Sequence, residues 1–200
     1  MVVLLCGGAG AWAKPAPTIL VMGDSLSAAY GIETSQGWAA LLSERLAARG
    51  YDYTVINASV SGDTSAQGLT RLPLELQRHR PAIVILELGA NDGLRGLSLA
   101  ALRENLGRMI RLSQKADAKV LLVGIYLPPN YGPDYTREFA AVYPQLARDY
   151  HLPLVPFLLA GVAEHRDWMQ ADGLHPLPMA EPRVLDNVWI KLEPMLQRKR

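Results

Sequence analysis

The sequence predicts an α/β domain built on a parallel sheet, and three observations carry that prediction. Five short apolar runs recur along the chain, each of strand length. Amphipathic stretches of helical period separate them, and clusters of small polar residues follow the first three runs directly. Strands that alternate with helices pair in parallel, and helices then cover both faces of the sheet.

Thr18 to Met22 is the first strand, because its continuous apolar character implies burial on both faces. Trp38, Leu41, Leu42 and Leu46 then share one helical face, and Gly50 suits the position just past the helix end. Tyr53-Thr54-Val55-Ile56 is the second strand. Asp63 or Thr64 can cap a helix carrying Leu69, Leu72 and Leu76, which Pro73 should break or kink. Ile83-Val84-Ile85-Leu86 is the third strand, and Ser98 caps a helix whose core face is Leu102, Leu106, Met109 and Ile110. Val120-Leu121-Leu122-Val123 is the fourth strand, followed by a loop rich in Pro, Gly, Asn and Tyr from Leu127 to Tyr135. Phe139, Val142, Tyr143 and Leu146 mark the next helix, Leu154-Val155 a brief fifth strand, and Val184, Leu185, Val188, Trp189 and Leu192 a last helix bent at Pro194. No repeat, linker or low-complexity tract interrupts the series.

Two hundred residues suit one domain with a substantial core, and the net charge of +1 points to no nucleic-acid partner. The run Arg198-Lys199-Arg200 reads as a solvated helix end. Residues 1–13 differ in character from the rest of the chain. Val2 to Cys6 is apolar, and Ala11-Trp12-Ala13 forms an A-x-A cleavage pattern, so this stretch reads as a signal peptide cut short at its start. It is too short to span a bilayer. Cleavage after Ala13 would remove Cys6, the single cysteine, and leave residues 14–200 as one domain, periplasmic or secreted.

In parallel sheets of this kind, ligands bind beyond the carboxyl ends of the strands. Gly23-Asp24-Ser25 follows the first strand, Asn57 to Asp63 the second, and Gly89-Ala90-Asn91-Asp92 the third, so all three should meet at one edge. A serine hydroxyl needs a base to become a nucleophile. Asp172-Gly173-Leu174-His175 offers one: His175 can take the Ser25 proton, while Asp172, three residues away, can hold the far ring nitrogen. The amides of Ser25 and Gly62 and the side-chain amide of Asn91 can donate to an oxyanion. Leu94, Leu97 and Leu127 lie beside the expected site and would line an acyl chain. His79, His151 and His165 read as helix-end or surface residues. Glu87 lies inside an apolar strand and should be hydrogen-bonded structurally. Asp24, Asp63 and Asp92 should cap helices and tie loops.

Gly23-Asp24-Ser25-Leu26, Gly62, Gly89-x-Asn91-Asp92 and Asp172-x-x-His175 resemble the ordered blocks of the SGNH (GDSL) hydrolases, from about Ile19 to His175. Asn57 to Thr64, Glu87 to Gly96 and Leu127 to Gly132 resemble more narrowly the periplasmic thioesterase I/lysophospholipase/arylesterase group of Gram-negative bacteria. The resemblance implies a flavodoxin-like three-layer α/β/α sandwich with a five-stranded parallel sheet. It also implies a Ser25-His175-Asp172 triad, an oxyanion hole from Ser25, Gly62 and Asn91, and hydrolysis of acyl esters and thioesters. No cofactor and no metal are implied, and the expected partners are small acyl ester, thioester or lysophospholipid substrates bound by a monomer without stable membrane insertion. One departure stands out: Leu177-Pro178-Met179 follows His175-Pro176 where that group carries a polar stretch, and Leu177 cannot cap a helix.

Two other readings compete. Asp24, Asp63 and Asp92 at strand ends could hold Mg²⁺ for phosphoryl transfer, but that leaves Asp172 and His175 unexplained and lacks a phosphate-cradling glycine loop. A non-catalytic binding protein on the same scaffold is the second, since fold alone assigns no function. Sensitivity to EDTA would favour the first, and an inert Ser25→Ala exchange the second.

Overall fold

The computed structural model describes residues 15–198; the signal-like segment 1–13 lies outside them. The strands are β1 (Thr18–Gly23), β2 (Thr54–Asn57), β3 (Ile83–Glu87), β4 (Lys119–Val123) and β5 (Leu154–Val155), all parallel, in the order β2-β1-β3-β4-β5. The helices are α1 (Trp38–Ala48), α2 (Ser65–His79), α3 (Ala90–Leu94), α4 (Leu99–Lys115), α5 (Pro133–Asp149) and α6 (Glu181–Leu192). Helices α1 and α6 pack together on one side, while α2, α4 and α5 form the other layer. This is the expected flavodoxin-like sandwich.

The strand order follows burial. β1, β3 and β4 are apolar almost throughout and occupy the centre, whereas β2 has only exposed and half-buried positions and stands at an edge. Because β1 pairs with both β2 and β3, the chain changes direction between β1 and β3. Their carboxyl ends are in register, Gly23 opposite Glu87, so the loops after them open into one crevice. The predicted helical faces are buried: Leu102, Leu106, Met109 and Ile110 of α4, Phe139, Val142, Tyr143 and Leu146 of α5, and Val184, Leu185, Val188, Trp189 and Leu192 of α6.

Four local features differ from the expectation or decide between its alternatives. Pro73 lies on the exposed face of α2, which runs through it without a break; tertiary packing of Leu72 and Leu76 outweighs the one hydrogen bond that proline removes. Thr64, rather than Asp63, caps α2, in a reciprocal capping box with Gln67. Gly89-Ala90-Asn91-Asp92, expected only as a polar cluster after the third strand, leads into a short helix, α3. At the C-terminal end, α6 stops at Leu192 and a 3-10 turn over Glu193–Met195 carries Pro194.

The start of α6 carries no side-chain cap, in keeping with the apolar stretch before it. A 3-10 turn, Pro178–Ala180, precedes α6, and Leu177 provides no side-chain cap. The first residue of α6, Glu181, instead reaches across the layer and accepts the Trp38 backbone N–H at 2.8 Å, capping α1, where Gly37 has no side chain to offer. Burial pushes the Glu181 carboxyl up to about 7, against the lowering effect of that hydrogen bond.

Candidate active site

Ser25 follows β1 by two residues in a turn, where the Ala28 amide donates to the Asp24 carbonyl and the Tyr30 amide to the Ser25 carbonyl. That tight winding turns the half-buried Ser25 side chain to the carboxyl edge while Asp24 and Ser27 face inward and are buried. Across the crevice, the Met169–Pro176 antiparallel bridge closes a loop that carries Asp172 and His175. Gly173 at φ 67° supplies the left-handed residue that lets both side chains point the same way.

The three groups form one line. Ser25 Oγ lies 2.8 Å from His175 Nε2, and His175 Nδ1 lies 2.7 Å from Asp172 Oδ2. The other carboxylate oxygen of Asp172 accepts the Leu174 amide at 2.9 Å and the His175 amide at 3.1 Å. Burial acts to raise the Asp172 carboxyl, but the Leu174 amide, the His175 ring and the His175 amide together hold it below the ordinary carboxylate value. An ionised Asp172 fixes Nδ1 as the protonated ring nitrogen and leaves Nε2 free to accept from Ser25. Tyr30 leans over the imidazole, ring centroids 4.7 Å apart.

Of the three candidate oxyanion donors, Ser25 and Asn91 line the cavity described below and Gly62 is outside its lining. Among the described residues, neither the Ser25 nor the Gly62 amide donates to a protein acceptor. Gly62, at φ 86°, is held by Arg95, whose Nη2 donates to its carbonyl at 2.9 Å. Asn91 directs its side-chain NH₂ at the Asp63 carbonyl, 3.0 Å, and more loosely at Asp24 Oδ2, 3.4 Å. The looser of the two is the bond Asn91 can exchange for a ligand oxygen.

A buried acid layer supports this edge. Asp24 accepts the Leu26 amide at 3.1 Å. Its carboxyl is pushed up to about 7 by burial, with the Leu26 and Asn91 hydrogen bonds lowering it and the Asp63 and Asp92 charges raising it. Glu87 Oε2 accepts from Ser27 Oγ at 2.7 Å and from the Asp24 amide at 3.4 Å, which names the partners its sequence position demanded. Complete burial, added to by the Asp24 charge, raises Glu87 well above its ordinary value. Asp92 accepts the Ser65 amide at 2.7 Å, capping α2 from another element, and Asp63 takes a two-nitrogen grip from Arg71 at 2.9 and 2.6 Å. The three aspartates thus have separate structural partners. Among the described residues, no three His, Cys, Asp or Glu side chains gather into a metal-binding group.

From Ser25 and His175 a cavity of about 480 Å³ runs between the loops after β1, β3, β4 and β5. Leu94 and Leu127 line it; Leu97 is outside its lining and 43% exposed. Phe157, Leu159 and Met169 complete the apolar wall, and Tyr126 stacks on Phe157 at 4.5 Å. Phe157 and Leu159 lie just past β5, so the strand-end rule that located Ser25 and Asn91 would also have found them. Of the remaining histidines, His79 ends α2 and pairs with Glu75 at 3.2 Å, a carboxylate one helical turn away that the sequence reading overlooked. His151 follows α5 at φ 52°, and His165 is exposed beside Trp168.

Comparison with known proteins agrees with this geometry. Residues 21–179 match the model of the GDSL-like lipase/acylhydrolase family. Esterase TesA of Pseudomonas aeruginosa is 56% identical over 181 residues, 90% of each chain. Thioesterase 1/protease 1/lysophospholipase of Escherichia coli K12 is 43% identical over 184 residues, 92% of this chain and 87% of that one. Among solved structures, TesA superposes with a TM-score of 0.88 at 56% identity, covering 90% of this chain and 99% of its own. With the family model spanning both the serine turn and the histidine loop, the chain belongs to the GDSL-like lipase/acylhydrolase family.

Proposed function

We propose that the protein is a serine esterase that cleaves fatty acyl esters and thioesters through an acyl-Ser25 intermediate. The carrying observation is the unbroken line Asp172–His175–Ser25 opening onto an apolar cavity. Ser25 Oγ attacks the acyl carbonyl as His175 Nε2 takes its proton, and Asp172 stabilises the imidazolium. The oxyanion accepts from the Ser25 and Gly62 amides and from Asn91, which lets go of Asp24. His175 then gives its proton to the departing alcohol or thiol. In the second half, His175 takes a proton from water, whose oxygen attacks the acyl carbon; the C–O bond to Ser25 breaks and the serine regains its proton. Leu94, Leu127 and Phe157 hold the acyl chain by apolar burial. Names of relatives that combine esterase, thioesterase and lysophospholipase support acyl groups as the common substrate element.

We further infer that residues 1–13 direct export and that residues 14–200 act as one monomeric domain. The export reading rests on the apolar run Val2 to Cys6 and the A-x-A pattern at Ala11-Trp12-Ala13; no helix among the described residues is long and apolar enough to cross a membrane. The test of the reaction is hydrolysis of p-nitrophenyl esters of graded chain length by wild type and Ser25→Ala, with and without EDTA. Loss of turnover in the variant and indifference to EDTA are expected. Turnover that survives Ser25→Ala would overturn the serine mechanism.

A further inference from the structure

The loop bearing Asp172 and His175 is exposed over residues 171–173, and His175 lies 150 residues along the chain from Ser25. Proton transfer nevertheless requires the Ser25 to His175 geometry to be held closely, and something other than the reacting bond must hold it. A second connection exists. Gln170 Nε2 donates to the Tyr30 carbonyl at 2.8 Å and to the Pro176 carbonyl at 3.0 Å. Two carbonyls can face only the NH₂ end of an amide, which fixes the orientation of this side chain. The Gln170 backbone N–H donates to the His175 carbonyl at 2.8 Å, so the residue also closes the loop from within.

On the serine side, the Tyr30 amide donates to the Ser25 carbonyl at 3.2 Å. The hydrogen bonds therefore run from Ser25 through Tyr30 and Gln170 to Pro176, the residue after His175. Apart from the Ser25–His175 bond, Gln170 to Tyr30 is the sole hydrogen bond between segments 24–37 and 165–177 among the described residues. The neighbouring residue leaves room for it: a Cβ on Gly31, at φ 76°, would lie 2.2 Å from Gln170 Oε1. Only glycine there accommodates both the backbone angle and the amide.

We propose that Gln170 is a positioning residue that sets the alignment of His175 on Ser25, acting as a strut between the two loops. The proposal rests on the Ser25–His175 reading above. Because misplacement of reacting groups by a fraction of an ångström reduces rate more than binding, its signature is a fall in kcat with little change in KM.

The test uses Gln170→Met, which keeps the length of the side chain without its donors, and Gly31→Ala, which crowds the amide from the other side. Turnover of a short p-nitrophenyl ester, the rate at which an organophosphonate ester labels Ser25, and the melting temperature are measured together. Gln170→Met is expected to lower kcat and the labelling rate about tenfold, with KM within about twofold. Rates are normalised to the folded fraction, which a purely structural role would leave at the wild-type value. Gly31→Ala should produce the same loss in the wild type and much less in a Gln170→Ala background, where there is no amide to displace. Normalised rates in Gln170→Met equal to wild type, or full losses that multiply in the double variant, would overturn the strut. Ser25→Ala run alongside separates the two levels: if it stays active, the site reading fails and the strut with it. If it is dead while Gln170→Met is unimpaired, the strut alone fails.

Discussion

The two halves of the site are built in opposite ways. The proton-relay side is local and exposed: Asp172 and His175 are three residues apart, with their side chains 38% and 15% exposed. The proposed oxyanion side is non-local, drawing the half-buried Ser25, Gly62 and Asn91 from loops after three strands over a buried acid layer of Asp24, Glu87 and Asp92. A local pair can be placed by one turn and a glycine. A three-loop constellation needs the register of the whole sheet, and the raised carboxyls of Asp24 and Glu87 beneath it arise only when folding buries them. This contrast says that chemistry on the exposed side depends on side-chain identity, and on the buried side it depends also on the integrity of the fold.

Removing the relay should have the largest effect. His175→Ala is expected to lower kcat about 10⁴-fold while leaving the melting temperature nearly unchanged, because a half-buried loop residue contributes little to the core. A general base acts only in its unprotonated form, so wild-type activity should fall on acidification. Asp172, held below its ordinary value, stays ionised through that range. A rate that is flat from about pH 8 to pH 5 would argue against His175 as the base.

Asn91→Ala comes next. Loss of one oxyanion donor costs roughly 3 to 4 kcal/mol of transition-state stabilisation, seen as a fall in kcat at nearly constant KM. Unlike His175→Ala, it should also lower the melting temperature, since the Asp63 carbonyl and the Asp24 carboxyl both lose a donor. Equal melting temperatures for the two variants would remove the distinction between the two sides.

A smaller effect is expected at the cavity wall. Leu127 is 7% exposed and lines the cavity, so Leu127→Ala should change kcat/KM for preferred acyl chains by about tenfold and shift the chain-length profile. The same exchange at Leu97, outside the lining, should leave that profile in place. Steady-state kinetics on an ester series reads both.

The smallest effect on turnover should come from Glu181→Gln, which probes the buried carboxylate farthest from the chemistry. The folded value of Glu181, about 7, lies above its ordinary 4.5, so the folded protein binds this proton more tightly than the unfolded chain does. Its stabilising contribution is complete below pH 4.5 and is lost as pH rises through about 7. Glutamine keeps an acceptor for the Trp38 amide without a titrating charge. The variant should therefore lose on the order of 3 kcal/mol of pH-dependent stability across that window, with kcat unchanged. Denaturant unfolding at several pH values measures it, and an unaltered pH slope would assign the dependence to Asp24 and Glu87 instead.

Particular residues show why some of this was legible in advance and some was not. Ser25, Asn91, Asp172 and His175 could be read because their chemistry is carried by residue type at strand ends and by a three-residue spacing. The unbroken helix through Pro73 could not, because local propensity argued against it and only the burial of Leu72 and Leu76 decides otherwise. The partners of Glu87 are Ser27 and Asp24, 60 and 63 residues away, and no local pattern announces them. Leu97 and Leu94 are indistinguishable by type and neighbourhood; α3 ends at Leu94 and leaves Leu97 exposed beyond it.

By itself the sequence determined the alternating α/β architecture, the buried faces of the long helices, and Ser25, His175 and Asp172 as the candidate nucleophile and relay, because periodicity, capping and spacing are properties of neighbours along the chain. The tertiary structure alone decided which loops share a crevice, that Glu181 caps a helix starting 143 residues before it, and that Gln170 spans to Tyr30. Those contacts depend on strand order and on how two helical layers meet the sheet. They arise when burying apolar surface brings distant segments together, and their energies depend on burial that no single stretch of sequence contains.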